Sequence, residues 1–377
     1  MDNLHLDKNA DEIAMESIKV AYLIEQCWHR NPGGTAVAAV NTAEEISRLE
    51  GIDLIGIAAN HRKTPKRKIP GNINIVNSKL PRQFLYEIWN KINFPKAENL
   101  SGPVDLVHAS GGAVPPTDLP LVASIHDLSW RGGNDWFPSR GKRFAEAWLK
   151  KACKAERLIC PSLTTFNDLL DAGFDEKKIR IVPLGVKKVD VKEEEVQSLL
   201  KKNFISTPFV LWVGTIEPRK NLPALLKAMQ QIPEVPLVLV GPTGWGSNLQ
   251  AMIQPISDRV KVIGEVDEHV KHVWYKAAEV FCFPSFMEGF GLPVLEAMSQ
   301  GTAVVTSSST ATAEVAQGAG LLVDPKSPDA LAESIKKILD DSDLASELGE
   351  KGRVRSRKYT WQETAFTTAK IYREVLS

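Results

Sequence analysis

The side chains best suited to chemistry lie in four short stretches, each where an apolar run gives way to glycine or charge. The richest is FPSFMEGFGLPVLEAM at 283–298. A strand is expected to end at Phe283. A turn carrying Glu288, Gly289, Phe290 and Gly291 follows, and a helix opens at Pro293, because proline fits the first helical turn. Glycine lets backbone amides approach a ligand with no Cβ in the way. Glu288 lies before the helix and Glu296 in its first turn, so both are expected to face one pocket at the cleft edge. The plainer reading is a tight strand-to-helix turn with a dipole-favoured glutamate. The second stretch is VGTIEPRKNLPALLKAM at 213–229. Its strand ends near Gly214, Asn221 is an expected N-cap, and Arg219 and Lys220 stand just before the helix. Cations are disfavoured at that end of a helix dipole unless an anion shares the place. A diphosphate is the natural anion, and a solvated basic pair is the alternative.

Two weaker stretches lie in the first half. IEQCWHRNPGGTAVAAV at 24–40 places Gly33 and Gly34 between a strand and a helix, without the G-x-G-x-x-G order of a dehydrogenase. SIHDLSW at 124–130 puts His126 and Asp127 at a strand end, either as a cleft-facing pair or as an imidazole holding a loop. Other features read as structural. GPTGWG at 241–246 is a loop that can line a nucleotide pocket. His269 and His272 are expected on an exposed helix face, with no third ligand for a metal. WRGGNDWFPSRGKRF at 130–144 is ordinary packing before it is an acceptor-side lip. HRKTPKRK at 61–68 is a solvated basic loop, with contact to anionic lipid or a phosphorylated acceptor as the sharper reading. Cys27, Cys153, Cys160 and Cys282 form no CxxC pair and read as buried free thiols.

These stretches need strand ends to hold them. Apolar runs at 18–24, 52–59, 104–110, 119–127, 155–162 and 178–186 alternate with helical patterns. After the charged segment KKVDVKEEEVQSLLKKN the pattern begins again, with runs at 209–215, 235–241, 260–266, 279–285, 302–308 and 320–325. Short, wholly apolar strands alternating with helices mean parallel sheets covered on both faces. The fold expected is therefore α/β, with two doubly wound, Rossmann-like domains: 1–190 with an acidic lead-in at 1–16, and 191–358, followed by a last helix at 359–377. Ligands of such sheets bind at the strand C-terminal ends, so the two domains should face each other across a cleft.

The 377 residues carry equal numbers of acidic and basic side chains, which disfavours a general nucleic-acid binder. No apolar run is long enough to span a bilayer, and the lead-in lacks the apolar core of a signal peptide. A cytoplasmic protein is expected, with at most peripheral contact at the inner membrane face.

Taken in order, the GG turn, the HD pair, ICPS with the later IVPLGV, the RKN loop, the E-x7-E segment and the tail YTWQETAFTTAKIYREV resemble glycosyltransferase family 4. These are retaining enzymes of the GT-B fold, and the resemblance covers nearly the whole chain. It implies an acceptor-binding first domain, a donor-binding second domain, and a terminal helix crossing back to the first. It also implies that Arg219 and Lys220 hold a donor diphosphate with no metal ion or other cofactor. Glu296 would bind the ribose, while Glu288 and the amides of Gly289, Phe290, Gly291 and Leu292 would address the donor sugar. Gly33 and Gly34 would approach the phosphates with Gly214 lining the donor site, and His126 would lie beside the reacting sugar. The catalytic set so implied is His126, Arg219, Lys220 and Glu288. The implied reaction moves a hexose from a nucleotide-diphosphate sugar, GDP-mannose first and a UDP-hexose second, to a glycan or lipid-linked acceptor. An epimerase or hydrolase of like architecture, and a non-catalytic sugar-nucleotide-binding subunit, remain as alternatives. One departure stands out: Glu314 follows Ala313 where family members often have proline, which leaves the path of that loop open.

Overall fold

The computed structural model describes residues 17–132, 136–244 and 248–377. The acidic lead-in lies outside them, as do parts of the 130–144 and 241–246 stretches. The first sheet is built from β1 (Ile18–Leu23), β2 (Ile52–Asn60), β3 (Asn74–Pro81), β4 (Leu106–Ala109), β5 (Leu121–Ser124), β6 (Arg157–Cys160) and β7 (Ile179–Ile181). All its neighbours are parallel, in the order β3-β2-β1-β4-β5-β6-β7. The second holds β8 (Val210–Val213), β9 (Leu237–Val240), β10 (Val260–Gly264), β11 (Val280–Phe283), β12 (Ala303–Ser307) and β13 (Leu321–Val323). Its order is β10-β9-β8-β11-β12-β13, again parallel.

Each order reverses once, between β1 and β4 in the first sheet and between β8 and β11 in the second. Connections leave in opposite directions at such a point, which opens a crevice at the strand C-terminal ends. The glycine turn follows β1, the RKN loop follows β8 and the E-x7-E turn follows β11. Three of the four chemical stretches therefore sit at the switch points, and His126 lies one strand away, beyond β5.

The strands are short and nearly all buried, as parallel strands covered by helices must be. The exceptions are the edge strands β3, β7, β10 and β13, whose residues are mostly exposed or half-buried; β3 is the longest of them and pairs only with β2. The last helix, Trp361–Leu376, packs Ala365, Ala369, Ile371 and Tyr372 into a core on one face of the first sheet. The chain thus passes between the two sheets twice, and the crossings touch. Val186 N–H donates to the carbonyl of Tyr359 at 3.0 Å, and Thr364 Oγ1 donates to the carbonyl of Pro183 at 2.7 Å. A Cβ on Gly185 would lie 2.8 Å from Cα of Trp361, so only glycine allows this approach. Cys27, Cys160 and Cys282 are buried free thiols as expected, whereas Cys153 is exposed on the turn after helix Ser139–Ala152. No helix among the described residues is long and apolar enough to cross a membrane.

Candidate active site

The loop after β8 tightens into a short 3-10 turn, Pro218–Lys220, before the helix Leu222–Gln230. This turns Arg219 and Lys220 inward. Lys220 Nζ lies 2.6 Å from Glu288 Oε1 and 4.8 Å from the centroid of the Phe283 ring. Arg219 reaches Glu288 Oε2 at 3.1 Å and Glu217 Oε1 at 2.7 Å, and donates to the carbonyl of Met287. Two cations and two carboxylates thus neutralise one another in a buried cluster. Burial works against ionising Glu288, but Arg219 and Lys220 outweigh it and hold the carboxyl below its ordinary range. Burial and the adjacent Arg219 draw the Lys220 ammonium down. Burial also opposes the charge of Arg219, and Glu288, Glu217 and Asp127 more than restore it. One guanidinium nitrogen, Nε, is buried without a partner among the described residues.

Asn221 stands at the N-cap position but makes no capping bond, contrary to expectation. It adopts left-handed geometry, φ 53°, and its Nδ2 donates to the carbonyls of Pro284 and Pro325. Asparagine tolerates that conformation better than most residues. The result ties the β8 loop to the β11 loop, a role that the RKN spelling alone does not reveal.

After β11, Glu288 and Gly289 precede a helix that begins at Leu292, with Gly291 left-handed at φ 110° where a Cβ would meet Thr312. Glu296 is the fifth helical residue, not a first-turn one, and the two glutamates do not share a network. Glu296 instead accepts from Lys271 Nζ at 2.8 Å and Tyr275 Oη at 3.0 Å. Glu288 pairs with the β8 loop, and Glu296 with helix Glu268–Ala277. The metal question changes as well. His269 is on an exposed face beside Glu195, but His272 is buried, and Glu268 and Glu296 bring ligand atoms within 4.8 Å of it. Lys271 already supplies a cation there, bonded to both Glu268 and Glu296.

The first domain closes over this turn. His126 Nε2 donates to the carbonyl of Ser110 at 2.9 Å, which leaves Nδ1 as the acceptor nitrogen. Burial keeps the ring neutral. Asp127 does not pair with it; its carboxylate accepts from the N–H and hydroxyl of Ser129. Gly289 fits directly beneath the carbonyl of His126, and its own carbonyl accepts from Ser162 Oγ at 2.7 Å and Thr165 Oγ1 at 3.2 Å. Gly33, at φ 57°, opens the helix Gly33–Ile46, and a Cβ on Gly34 would sit 3.6 Å from the Leu292 side chain. Gly214 continues from β8 and is covered by Gly241 of the β9 loop. Phe290 is buried edge-on against Tyr359. The structure therefore joins Gly34, His126, Gly289, Phe290, Gly291 and Leu292 along one seam that begins at the Gly33 turn, with Arg219, Lys220 and Glu288 in one ion cluster and Glu296 in another with Lys271 and Tyr275.

Glu314 was open in the sequence, and its position is informative. Its carboxylate accepts from the N–H groups of Leu163 at 2.9 Å and Thr164 at 2.7 Å, and from Thr164 Oγ1 at 2.5 Å. Those amides are free donors in the first turn of helix Leu163–Asp171, whose own N-cap, Ser162, satisfies only Thr165. A second-domain side chain thus caps a first-domain helix.

Two family models match the chain: Glycosyltransferase Family 4 over residues 32–188 and Glycosyl transferases group 1 over 192–355. Among curated relatives, the chain is 29% identical over 265 residues to O-antigen chain mannosyltransferase B of Escherichia coli, covering 67% of this chain and 70% of that protein. Among solved structures, sucrose-phosphate synthase from Thermosynechococcus elongatus superposes with a TM-score of 0.76 at 22% identity, covering 95% of this chain and 99% of that one. Anabaena Alr3699/HepE in complex with UDP-glucose superposes at 0.73 with 17% identity, covering 95% and 100%.

Proposed function

The chain belongs to glycosyltransferase family 4, enzymes of the GT-B fold, and on that premise we propose that it moves mannose from GDP-mannose to a growing glycan or lipid-linked acceptor, with retention and without a metal ion. The observation that carries this reading is the buried Arg219–Lys220 pair at the β8/β11 switch point, paired with Glu288 of the β11 turn. A diphosphate there meets two cations whose present partner, Glu288, can turn to sugar hydroxyls. The bond from sugar C1 to the β-phosphate oxygen breaks while the acceptor oxygen bonds C1 on the same face. The acceptor proton passes to the departing phosphate, and Arg219 and Lys220 stabilise the charge developing there. His126, neutral and fixed in one tautomer, offers Nδ1 to a sugar hydroxyl. The mannosyltransferase relative favours the mannosyl donor, and the UDP-glucose complex of the Anabaena neighbour favours a UDP-hexose as second reading.

Thermal unfolding against a panel of nucleotides and sugar nucleotides, with EDTA present, tests the donor site. A nucleotide at 100 times its Kd stabilises the native state by about 2.7 kcal/mol, a shift of roughly 3–4 °C for a protein of this size. Lys220→Ala should abolish the shift. NMR of the product then reports the anomer. Product of inverted configuration refutes retention, loss of transfer in EDTA refutes metal independence, and no shift with any nucleotide removes the donor assignment.

A further inference from the structure

Another group of unsatisfied side chains lies in the first domain, on the side of the glycine turn away from the donor cluster. It is made by the connections after β1, β2 and β3. Glu25 begins a short 3-10 turn, Glu25–Trp28, and is fully buried. Its carboxylate accepts from the N–H of Ala59 at 2.7 Å and from His61 Nε2 at 2.9 Å, and the His61 ring stacks on Trp28 with centroids 4.7 Å apart. Around this satisfied pair are three buried polar atoms with no partner among the described residues: Gln26 Oε1, His29 Nε2 and Tyr86 Oη. Gln26 is 1% exposed and Tyr86 7% exposed, so bulk water does not serve them. Burying such groups unpaired is costly, and in native proteins it marks a place that something else completes.

The charge around these atoms is positive. Arg82 is the first residue of the helix Arg82–Ile92, which has no side-chain cap and no acidic residue in its first turn. Arg82 forms no hydrogen bond or ion pair among the described residues, although the helix dipole there opposes a cation. Tyr86 is four residues on and so shares its face. Tyr86 packs in one core cluster with Ala59, whose N–H donates to Glu25, and the Arg82 charge acts on both the Tyr86 hydroxyl and the His29 ring. The loop after β2 folds over the same floor: Lys63 accepts Trp28 Nε1 on its carbonyl, and Lys66 Nζ donates to the carbonyl of Arg30. It brings Arg62, Lys63, Lys66 and Lys68 to the rim, exposed. Gln26 links the floor to the reaction seam, since its Nε2 donates to Ser110 Oγ and the Ser110 carbonyl holds His126.

We propose that this floor is the acceptor subsite and that the acceptor it takes is phosphorylated, with the phosphate on Arg82 at the helix start and its hydroxyls reaching Tyr86 Oη, His29 Nε2 and Gln26 Oε1 as the loop after β2 lifts from them. The role as acceptor site rests on the transferase reading above; the anion preference does not. The phosphate belongs either to a soluble sugar phosphate or to a lipid headgroup.

The test uses the full chain with three soluble probes, inorganic phosphate, a hexose 6-phosphate and the free hexose, and with vesicles of phosphatidylcholine with or without phosphatidylglycerol. Wild type, Arg82→Gln, Tyr86→Phe and Lys220→Ala are compared, with nucleotide binding measured in parallel. Hexose phosphate should bind at least 10-fold more tightly than hexose. R82Q should weaken it about 10- to 100-fold and Y86F about 5-fold, with nucleotide affinity unchanged. Y86F deletes only an unpaired hydroxyl, so it folds whatever R82Q does. Vesicle binding that requires phosphatidylglycerol and Arg82, without hexose phosphate binding, assigns the phosphate to a lipid. Equal affinity for hexose and hexose phosphate with no vesicle binding overturns the proposal. So does binding that survives R82Q but is lost in K220A, which puts the phosphate in the donor site. Arg82-dependent phosphate binding without any nucleotide binding refutes the transferase role and leaves the anion site standing.

Discussion

Gly289→Ala separates closure of the two domains from stability. A Cβ at Gly289 would overlap the carbonyl oxygen of His126 and lie 2.7 Å from its carbonyl carbon and 2.8 Å from Cβ of Asp127. Non-bonded heavy atoms prefer about 3.5 Å, and the obstacle is backbone, so the seam must open by roughly 1.5–2 Å. Opening stretches the bonds that Ser162 and Thr165 donate to the Gly289 carbonyl. At about 1 kcal/mol each, their loss costs the closed arrangement about 2 kcal/mol, roughly 30-fold in its population. A 1 Å displacement at the reacting centre can itself cost about 100-fold in rate. Transfer kinetics should therefore fall by about 30- to 100-fold or more. The melting temperature should move by no more than about 1–2 °C, roughly 1 kcal/mol for a chain of this length, because the strain is relieved by separating the domains and not by unfolding either. Small-angle scattering should report a more open protein. Wild-type kcat in G289A, or a large loss of stability with no change in scattering, refutes this reasoning.

Lys220→Ala should lower kcat by about 100- to 1000-fold, the usual cost of removing one group that stabilises developing charge, and steady-state kinetics with or without EDTA will measure it. Glu314→Ala removes the cross-domain cap on helix Leu163–Asp171 and should cost about 1 kcal/mol of closure, read as an increased radius of gyration without ligand and a higher KM for donor. An unchanged radius shows that the cap does not hold the domains. Burial, with a lesser push from His126, lowers the pKa of His108 to about 3, while its nitrogens meet Tyr372 Oη and Ser124 Oγ. A histidine kept neutral in the fold lends stability fully above its unfolded pKa near 6.5 and loses it as pH falls toward 3, on the order of 3 kcal/mol by pH 4. Urea unfolding at pH 7, 5.5 and 4.5 should show His108→Gln converging on wild type as pH falls, and a constant difference between them would falsify the assignment.

The sheets were legible because their strands are buried on both faces and leave uninterrupted apolar runs. Strand β3, Asn74–Pro81, was not, since an edge strand reading NIVNSKLP buries too little to leave a pattern. Arg219, Lys220, Glu288 and the glycine turns could be read because each stands where a run of apolar residues stops. What they touch could not be read. Arg219 pairs with Glu217 in its own loop as well as with Glu288, and the partners of Glu296 come from helix Glu268–Ala277, whose His272 is buried and meets Gln300. The Glu25–His61 pair is 36 residues apart in sequence and joins two loops, so local spacing carries no trace of it.

The paired crossings at Val186–Tyr359 and Gly185–Trp361 bear on how the protein moves. A single linker is a universal joint: it lets one domain swivel and twist freely over the other. Two covalent passages fastened side by side remove most of those degrees of freedom and leave a rotation about the line they define. The domains then move like a book on its spine, and the contacts of Gly289 and Glu314 lie close beside that spine, since Phe290 packs on Tyr359 and Arg355 donates to the Glu314 carbonyl. Each opening returns Gly289 to the same carbonyl, so registration at the reacting centre is set by the hinge before any substrate arrives.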